Sequence, residues 1–167
     1  MTTELSPFSP PSNAPVGPAI GQLAIAVEPA IWVEQVRLPI ANLQDVLVAR
    51  FVGRDEAAKL GLAAVIQTRV ATVISEITRN IVQHAGGPGE IRLGRMKKDG
   101  RPGLRIIVVD YGRGIENPGK YLAATKAGGL GAGLPGTRRL ADRFDLQSCL
   151  GAGTTVTTEF WTPEAPR

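Results

Sequence analysis

Between Ala63 and Ala85 apolar residues recur at helical spacing, the pattern stops at Gly86-Gly87, and beyond it the period shortens to that of strands. This switch constrains the fold more than any other feature, because a long amphipathic helix must bury its stripe against something, and the segment after it is sheet-forming. Val70, Val73, Ile74, Ile77 and Ile81 make the stripe that faces a core. Glu76 and Asn80 lie four residues apart and stack one turn above each other on a neighbouring face. A carboxylate and a carboxamide held this way suit a general base and a neutral oxygen ligand for a hard cation. They suit a solvated helix face equally well, so the choice falls to the rest of the chain.

The segment up to Gly21 carries Pro7, Pro10, Pro11, Pro15 and Pro18 among Ser, Thr and Asn, which predicts a flexible Pro-rich tail over 1–22. A folded domain over 23–162 and a frayed tail over 163–167 complete the expected organisation. Ile31 to Leu38 alternates imperfectly and reads as an edge strand ended by Pro39. Asn42 is a helix N-cap, Leu43, Val46, Leu47, Arg50 and Phe51 have helical spacing through about Leu60, and Gly61 is a natural stop. After the long helix, Glu90–Lys97 and Leu104–Asp110 read as strands joined by a turn-rich connection, the second apolar enough to be central. Residues 115–127 read as irregular. A helix then opens with Pro135 in its first turn and Leu140, Ala141 and Phe144 inward, and a hairpin comes after it, Phe144–Leu150 with Thr154–Trp161, around Gly151-Ala152-Gly153. The order predicts an α+β two-layer sandwich: a mixed, mostly antiparallel sheet with helices on one face.

Composition narrows the function classes. The net charge is +4, aromatics are 5%, and Lys and Arg are scattered apart from Arg95–Lys98 and Arg138-Arg139. That is not the interleaved basic and aromatic surface of a single-strand nucleic-acid platform, and no nucleic-acid partner is expected. No apolar run approaches a membrane span, and Glu4 with the prolines is unlike a secretory signal, so a cytoplasmic protein without a membrane partner is expected. A single cysteine, Cys149, excludes an intrachain disulfide framework, and with a single histidine, His84, it argues against zinc. Cys149 is expected to be a small core residue.

Three glycine-containing segments come after the helix. Asp110-Tyr111-Gly112-Arg113-Gly114 ends the central strand, either as a plain Asp-x-Gly turn or as a carboxylate for a flat ligand's amino group, with glycines that let the ligand approach. Gly128-Gly129-Leu130-Gly131-Ala132-Gly133-Leu134-Pro135-Gly136 opens a helix and points bare amides and the positive helix end at one spot, a cradle for phosphate. The Gly131-x-Gly133-x-x-Gly136 spacing within it matches the dinucleotide fingerprint, but no strand immediately precedes it and the βαβ unit is absent, so the Rossmann reading is rejected and an oxidoreductase stays as a third, weaker alternative that failure of NAD to shift thermal stability would remove. Gly151-Ala152-Gly153-Thr154-Thr155 is either a hairpin turn or the floor of a nucleotide pocket.

In this order, Glu76-x-x-x-Asn80, Asp110-x-Gly112-x-Gly114, Gly129-x-Gly131-x-Gly133 and Gly153-Thr154-Thr155 resemble the GHKL ATPase superfamily of gyrase, Hsp90, sensor histidine kinases and MutL. The resemblance spans roughly Trp32 to Trp161. Within the superfamily the chain looks like the bacterial anti-sigma-factor serine/threonine kinases of the stressosome switch type. The resemblance implies a Bergerat-type ATP-binding fold, ATP and Mg²⁺ as cofactors, and phosphorylation of a STAS-domain antagonist protein. A PPM-type phosphatase or a sigma factor is implied as a further partner, and a homodimer is one arrangement open to it, although no heptad or exposed apolar stripe in the sequence requires one. Carried over by motif, Asn80 holds Mg²⁺ and Glu76 is the general base. Asp110 takes the adenine amino group, and Gly112 and Gly114 shape the base pocket. Gly129, Leu130, Gly131, Ala132 and Gly133 line the phosphates, and Thr155 supports the Asp110 end of the site. Residues 115–128 correspond to a short ATP lid, with Lys126, Arg138 and Arg139 near the phosphates or simply on the surface. The alternative is a non-catalytic anti-sigma factor or phosphatase co-activator that keeps the nucleotide fold and acts by sequestration.

Overall fold

The computed structural model describes residues 31–123 and 133–163. The Pro-rich tail, the first residues of the expected domain and the last four residues lie outside them, as does 124–132. In chain order the elements are β1 (Ile31–Ile40), α1 (Leu43–Lys59), α2 (Ala64–Asn80), a π-helical turn (Ile81–Ala85), β2 (Gly89–Lys98), β3 (Arg101–Asp110), α3 (Pro118–Ala123), α4 (Gly133–Leu140), β4 (Arg143–Cys149) and β5 (Gly153–Trp161). The strands form one sheet in the order β1-β2-β3-β5-β4. Each of the four pairings is antiparallel, so the sheet is not mixed among the described residues.

Local chemistry accounts for the boundaries. Asn42 Oδ1 accepts from the amides of Gln44 and Asp45 at 2.8 and 3.1 Å, Asp45 reaches back to the Asn42 amide, and α1 starts on this capping box. Gly61, at φ 73°, ends it in the left-handed region. Where a longer α-helix and an irregular segment were expected, α2 gives way to a π turn after Asn80, and α3 interrupts 115–127. The last helix ends at Leu140, so Phe144 is not on it but on β4.

The core lies between α1, α2 and the sheet: Val70, Val73, Ile74, Ile77 and Ile81 of α2 and its π turn meet Ile91, Leu93, Leu104, Ile106, Val108, Val156 and Phe160. On α1 the inward residues are Val46, Ala49, Gly53, Glu56 and Ala57, and Leu43, Leu47 and Phe51 point to solvent. Gly53 marks where the helices come closest: a Cβ there would stand 2.0 Å from Ile74 Cδ1. Arg69 of α2 donates to the Leu140 carbonyl at 2.6 Å and pairs with Asp142 at 3.0 Å, tying the end of α4 to the core. The other face of the sheet carries Trp32 over Gly94, Trp161 over Gly103, and the Arg105–Glu159 pair at 2.8 Å. On β1 the Arg37 guanidinium, hydrogen-bonded to Glu34, holds that carboxyl below the usual carboxylate range. Cys149 is exposed, not buried in the core as expected, because it sits at the end of β4 beside the hairpin turn. No described helix is long and apolar enough to cross a membrane.

Candidate nucleotide site

Across the sheet, Ile40, Gly89, Asp110 and Thr154 stand in one row of paired residues, and α2 ends above it. A cavity of about 300 Å³ opens there, lined by Ile77, Asn80, Ile81, His84, Ala85, Val108, Asp110, Arg113, Gly114, Ile115, Tyr121, Leu134, Thr154 and Val156. That volume and that mixture, an aliphatic wall with a few convergent polar groups, suit a small flat ligand.

The wall is built by helix geometry. A π turn adds a residue to the helical circuit, and here it brings His84 and Ala85 to the same cavity as Ile77, Asn80 and Ile81. Thr78 and Ser75 donate back to the carbonyls of Ile74 and Ala71 at 2.6 and 2.8 Å, contacts that bend a helix just before this junction.

The floor is a loop clamped on both sides. Asp110 Oδ1 accepts from the Gly112 amide at 2.9 Å, the Arg113 amide donates to Ala85 O at 3.2 Å, and the Gly151 amide donates to Arg113 O at 2.9 Å. Ser148 Oγ accepts from the Ile115 amide at 2.8 Å and sits 2.9 Å from Thr154 Oγ1. The sequence reads these glycines as room for a ligand, but the structure gives them another neighbour: protein backbone. A Cβ at Gly112 would lie 2.0 Å from Ala85 O, one at Gly114 2.0 Å from Cys149 O, and one at Gly153 2.0 Å from Asp110 O. They let the π turn, the loop and the β4–β5 hairpin close on one another.

Two side chains in the cavity are left with capacity. The second carboxylate oxygen of Asp110 makes no hydrogen bond among the described residues, the first being taken by Gly112. The Asn80 carboxamide makes none either, and its Nδ2 is buried without a partner. An orphaned amide N–H is costly unless an acceptor joins it, so the residues present fit a ligand with a donor for Asp110 and, at Asn80, an acceptor such as a phosphate oxygen for Nδ2, with the free Oδ1 open to a cation.

Of the residues singled out in the sequence, the structure brings Asn80, Asp110 and Gly114 to this cavity. Glu76 is not among its lining residues; one turn before Asn80, it accepts from Arg79 Nη1 at 3.3 Å. Gly112 packs behind the cavity on Ala85. Gly133 begins α4, its Cβ position 3.9 Å from Tyr121 Oη. Gly129, Leu130, Gly131, Ala132 and Lys126 lie outside the described residues, and Arg138 and Arg139 are exposed away from the cavity. Thr155 is not among the lining residues: Thr154, Val156 and Thr158 share the helix-covered face of β5, so Thr154 lines the cavity and Thr155 faces the other way. The sequence does not single out His84, Arg113 and Tyr121 as site residues, although Arg113 lies within the Asp110–Gly114 motif and Tyr121 within the lid segment; the helix phase through the π turn, the 111–117 loop and α3 put them there.

A helix-covered antiparallel sheet with this cavity at the end of its central strand is an arrangement that suits a nucleotide-binding domain. The family model described as "Histidine kinase-, DNA gyrase B-, and HSP90-like ATPase" matches residues 65–165. The chain is 43% identical over 119 residues to the serine/threonine-protein kinase RsbT of Bacillus subtilis (strain 168), a match covering 70% of this chain and 89% of that one. Among solved structures, the histidine kinase domain from the Erythrobacter litoralis EL346 blue-light activated histidine kinase matches over 57% of this chain at 26% identity, with a TM-score of 0.42, and the match spans 44% of that chain. The chain belongs to the histidine kinase-, DNA gyrase B- and HSP90-like ATPase family, binds ATP as that family does, and is a kinase of the serine/threonine type.

Proposed function

We propose that this kinase uses Mg²⁺-ATP to phosphorylate a serine or threonine of a STAS-domain antagonist protein in a bacterial partner-switching cascade. A PPM-type phosphatase or a sigma factor is the further partner, the catalytic domain is 23–162, and a cytoplasmic location is part of the proposal. The observation that carries it is the unpartnered Asn80 carboxamide in the same cavity as the half-satisfied Asp110 carboxylate. The similarity to a serine/threonine-protein kinase supplies the reaction class.

In this mechanism Ile77, Ile81, Val108, Ile115, Leu134 and Val156 sandwich the base, and the free oxygen of Asp110 accepts from the adenine amino group. Asn80 would hold Mg²⁺ by its carboxamide, and the ion would supply positive charge to offset that of the phosphates. By the family motif Gly129, Leu130, Gly131, Ala132 and Gly133 are assigned to the phosphates, the first four lying outside the described residues and Gly133 beginning α4. His84 and Arg113 supply further donors from the same cavity. The acceptor hydroxyl displaces Arg79 from its 3.3 Å contact with Glu76. Glu76 then takes the hydroxyl proton as the oxygen bonds to the γ-phosphorus and the bond to the ADP oxygen breaks.

Glu76 stands outside the cavity lining, one turn before Asn80, and the second reading is sequestration of the antagonist. Incubating the full chain with Mg²⁺, γ-labelled ATP and the purified STAS-domain antagonist separates the two. Label on a serine or threonine of the antagonist supports the kinase proposal. Nucleotide binding and complex formation without label support sequestration.

A further inference from the structure

The described helices pack on one face of the sheet, and among the described residues no helix lies on the other. Across that bare face, at the end of the sheet away from Asp110, Trp32, Met96, Gly103 and Trp161 stand opposite one another on β1, β2, β3 and β5. Both indoles lie against glycine backbone: a Cβ at Gly94 would stand 2.1 Å from Trp32 Nε1, and one at Gly103 2.5 Å from Trp161 Cε3. Between their strands Met96 is 3% exposed. The result is an apolar shelf that holds both tryptophans of the chain. Trp32 Nε1 is buried without a hydrogen-bond partner, so the shelf lacks an acceptor.

Toward the cavity end the same face is polar and paired within itself. Arg37 bridges Glu34 at 3.0 Å and Glu90 at 3.9 Å, Arg92 pairs with Glu90, and Glu159 takes Arg105 at 2.8 Å and Arg143 at 3.9 Å. A second copy laid sheet on sheet would bury these pairs and desolvate them with no charge left over to meet its own. The shelf therefore suits a narrow occupant, an extended segment that crosses the apolar row and leaves the charged rows in water.

The chain supplies such a segment. Residues 1–30 lie outside the described residues and end at Ile31, which immediately precedes Trp32. Within them Pro7-x-x-Pro10 and Pro15-x-x-Pro18 repeat proline at the three-residue period of a polyproline II helix. Prolines at that period stack on aromatic side chains, and the backbone carbonyls, free of internal hydrogen bonds, accept from an indole N–H. From Pro18 to Trp32 the chain can span about 45 Å, against roughly 14 Å from β1 to β5. Tethered this closely, the segment has an effective concentration of about 1 mM, so a free Kd of about 0.1 mM keeps it docked about nine-tenths of the time.

We infer that the Trp32–Met96–Trp161 shelf is the docking surface for this chain's own proline-rich segment, residues 7–18. Gly103 and Asp110 are seven residues apart on β3, about 24 Å, so the shelf is separate from the nucleotide cavity and the inference does not depend on the kinase reading. The test compares the full wild-type chain with a variant carrying Pro7→Ala, Pro10→Ala, Pro15→Ala and Pro18→Ala together, none of which lies in the sheet. The two indole N–H signals of the NMR spectrum report from the shelf alone. The inference expects both to shift in the variant, acrylamide quenching of the indoles to rise, and the unfolding constant from urea titration to rise about tenfold, or about 1.4 kcal/mol. A synthetic peptide of residues 6–20, added to the variant at about 1 mM, restores the wild-type signals. Signals, quenching and urea midpoint unchanged in the variant overturn the inference. Signals that move with protein concentration in both chains assign the shelf to a second copy and overturn it as well. So do signals that move on Pro163→Ala but not on the four substitutions, since they assign the shelf to the C-terminal residues.

Discussion

Replacing Asn80 by leucine removes the carboxamide while keeping the branching and heavy-atom count of the side chain. Asn80 Nδ2 is buried without a hydrogen-bond partner, so the ligand-free protein carries a desolvation cost of about 1–3 kcal/mol that leucine does not have. Leucine adds a few tenths of a kcal/mol in helix propensity at the end of α2. The ligand-free variant is therefore expected to be more stable than wild type by about 1–2 kcal/mol, or roughly 3–8 °C in melting temperature for a domain of this size. Urea unfolding measures this directly, with an unchanged slope showing that the same surface is exposed. Repeating the titration with Mg²⁺-ATP at about a hundredfold over the wild-type Kd should stabilise wild type by about 2.7 kcal/mol and the variant not at all. A variant less stable than wild type that still gains stability from Mg²⁺-ATP refutes the reasoning, since it shows a carboxamide satisfied within the fold and dispensable for the ligand.

Two further substitutions probe the floor of the site. Gly112→Ala places a methyl against Ala85 O and breaks the Arg113 amide contact, which costs about 3 kcal/mol from overpacking and a lost hydrogen bond; an unchanged urea midpoint contradicts this. Thr154→Val removes a hydroxyl from the cavity and Thr155→Val removes one from the opposite face. Calorimetry should find ATP affinity reduced about tenfold in the first and unaltered in the second, and the reverse order would restore Thr155 to the site.

The helix–helix–hairpin–helix–hairpin order was legible because each element announces itself locally. The α2 stripe from Val70 to Ile81 is period 3.6, the Leu104–Val109 run can only be a central strand, and Asn42 and Gly61 mark the ends of α1. What stayed hidden depends on contacts between elements. The spacing of Leu43, Leu47 and Phe51 identifies a helix but not which face is buried, and the close approach of Gly53 to Ile74 shows which it is. Thr154 and Thr155 differ only in strand phase, which is set by the burial of Val156, Thr158 and Phe160 two, four and six residues from Thr154. The π turn has no signal in the run Ile81–Ala85, so the approach of His84 to Asn80 and Asp110 could not be read from it. The glycines of the Asp110 loop do mark places where backbone comes close, but the closing surface is Ala85 and Cys149.

Central to the proposed mechanism is the division of labour along α2, with Asn80 holding the metal and Glu76, one turn earlier and paired with Arg79, serving the acceptor hydroxyl. The most direct measurement is the single-turnover rate of γ-phosphoryl transfer to the STAS-domain antagonist by Glu76→Gln, with ATP affinity measured on the same preparation. The rate is expected to fall by about 10²–10⁴-fold, the scale of a lost general base, with affinity unaltered. Transfer at the wild-type rate, or rate and affinity falling together, contradicts it.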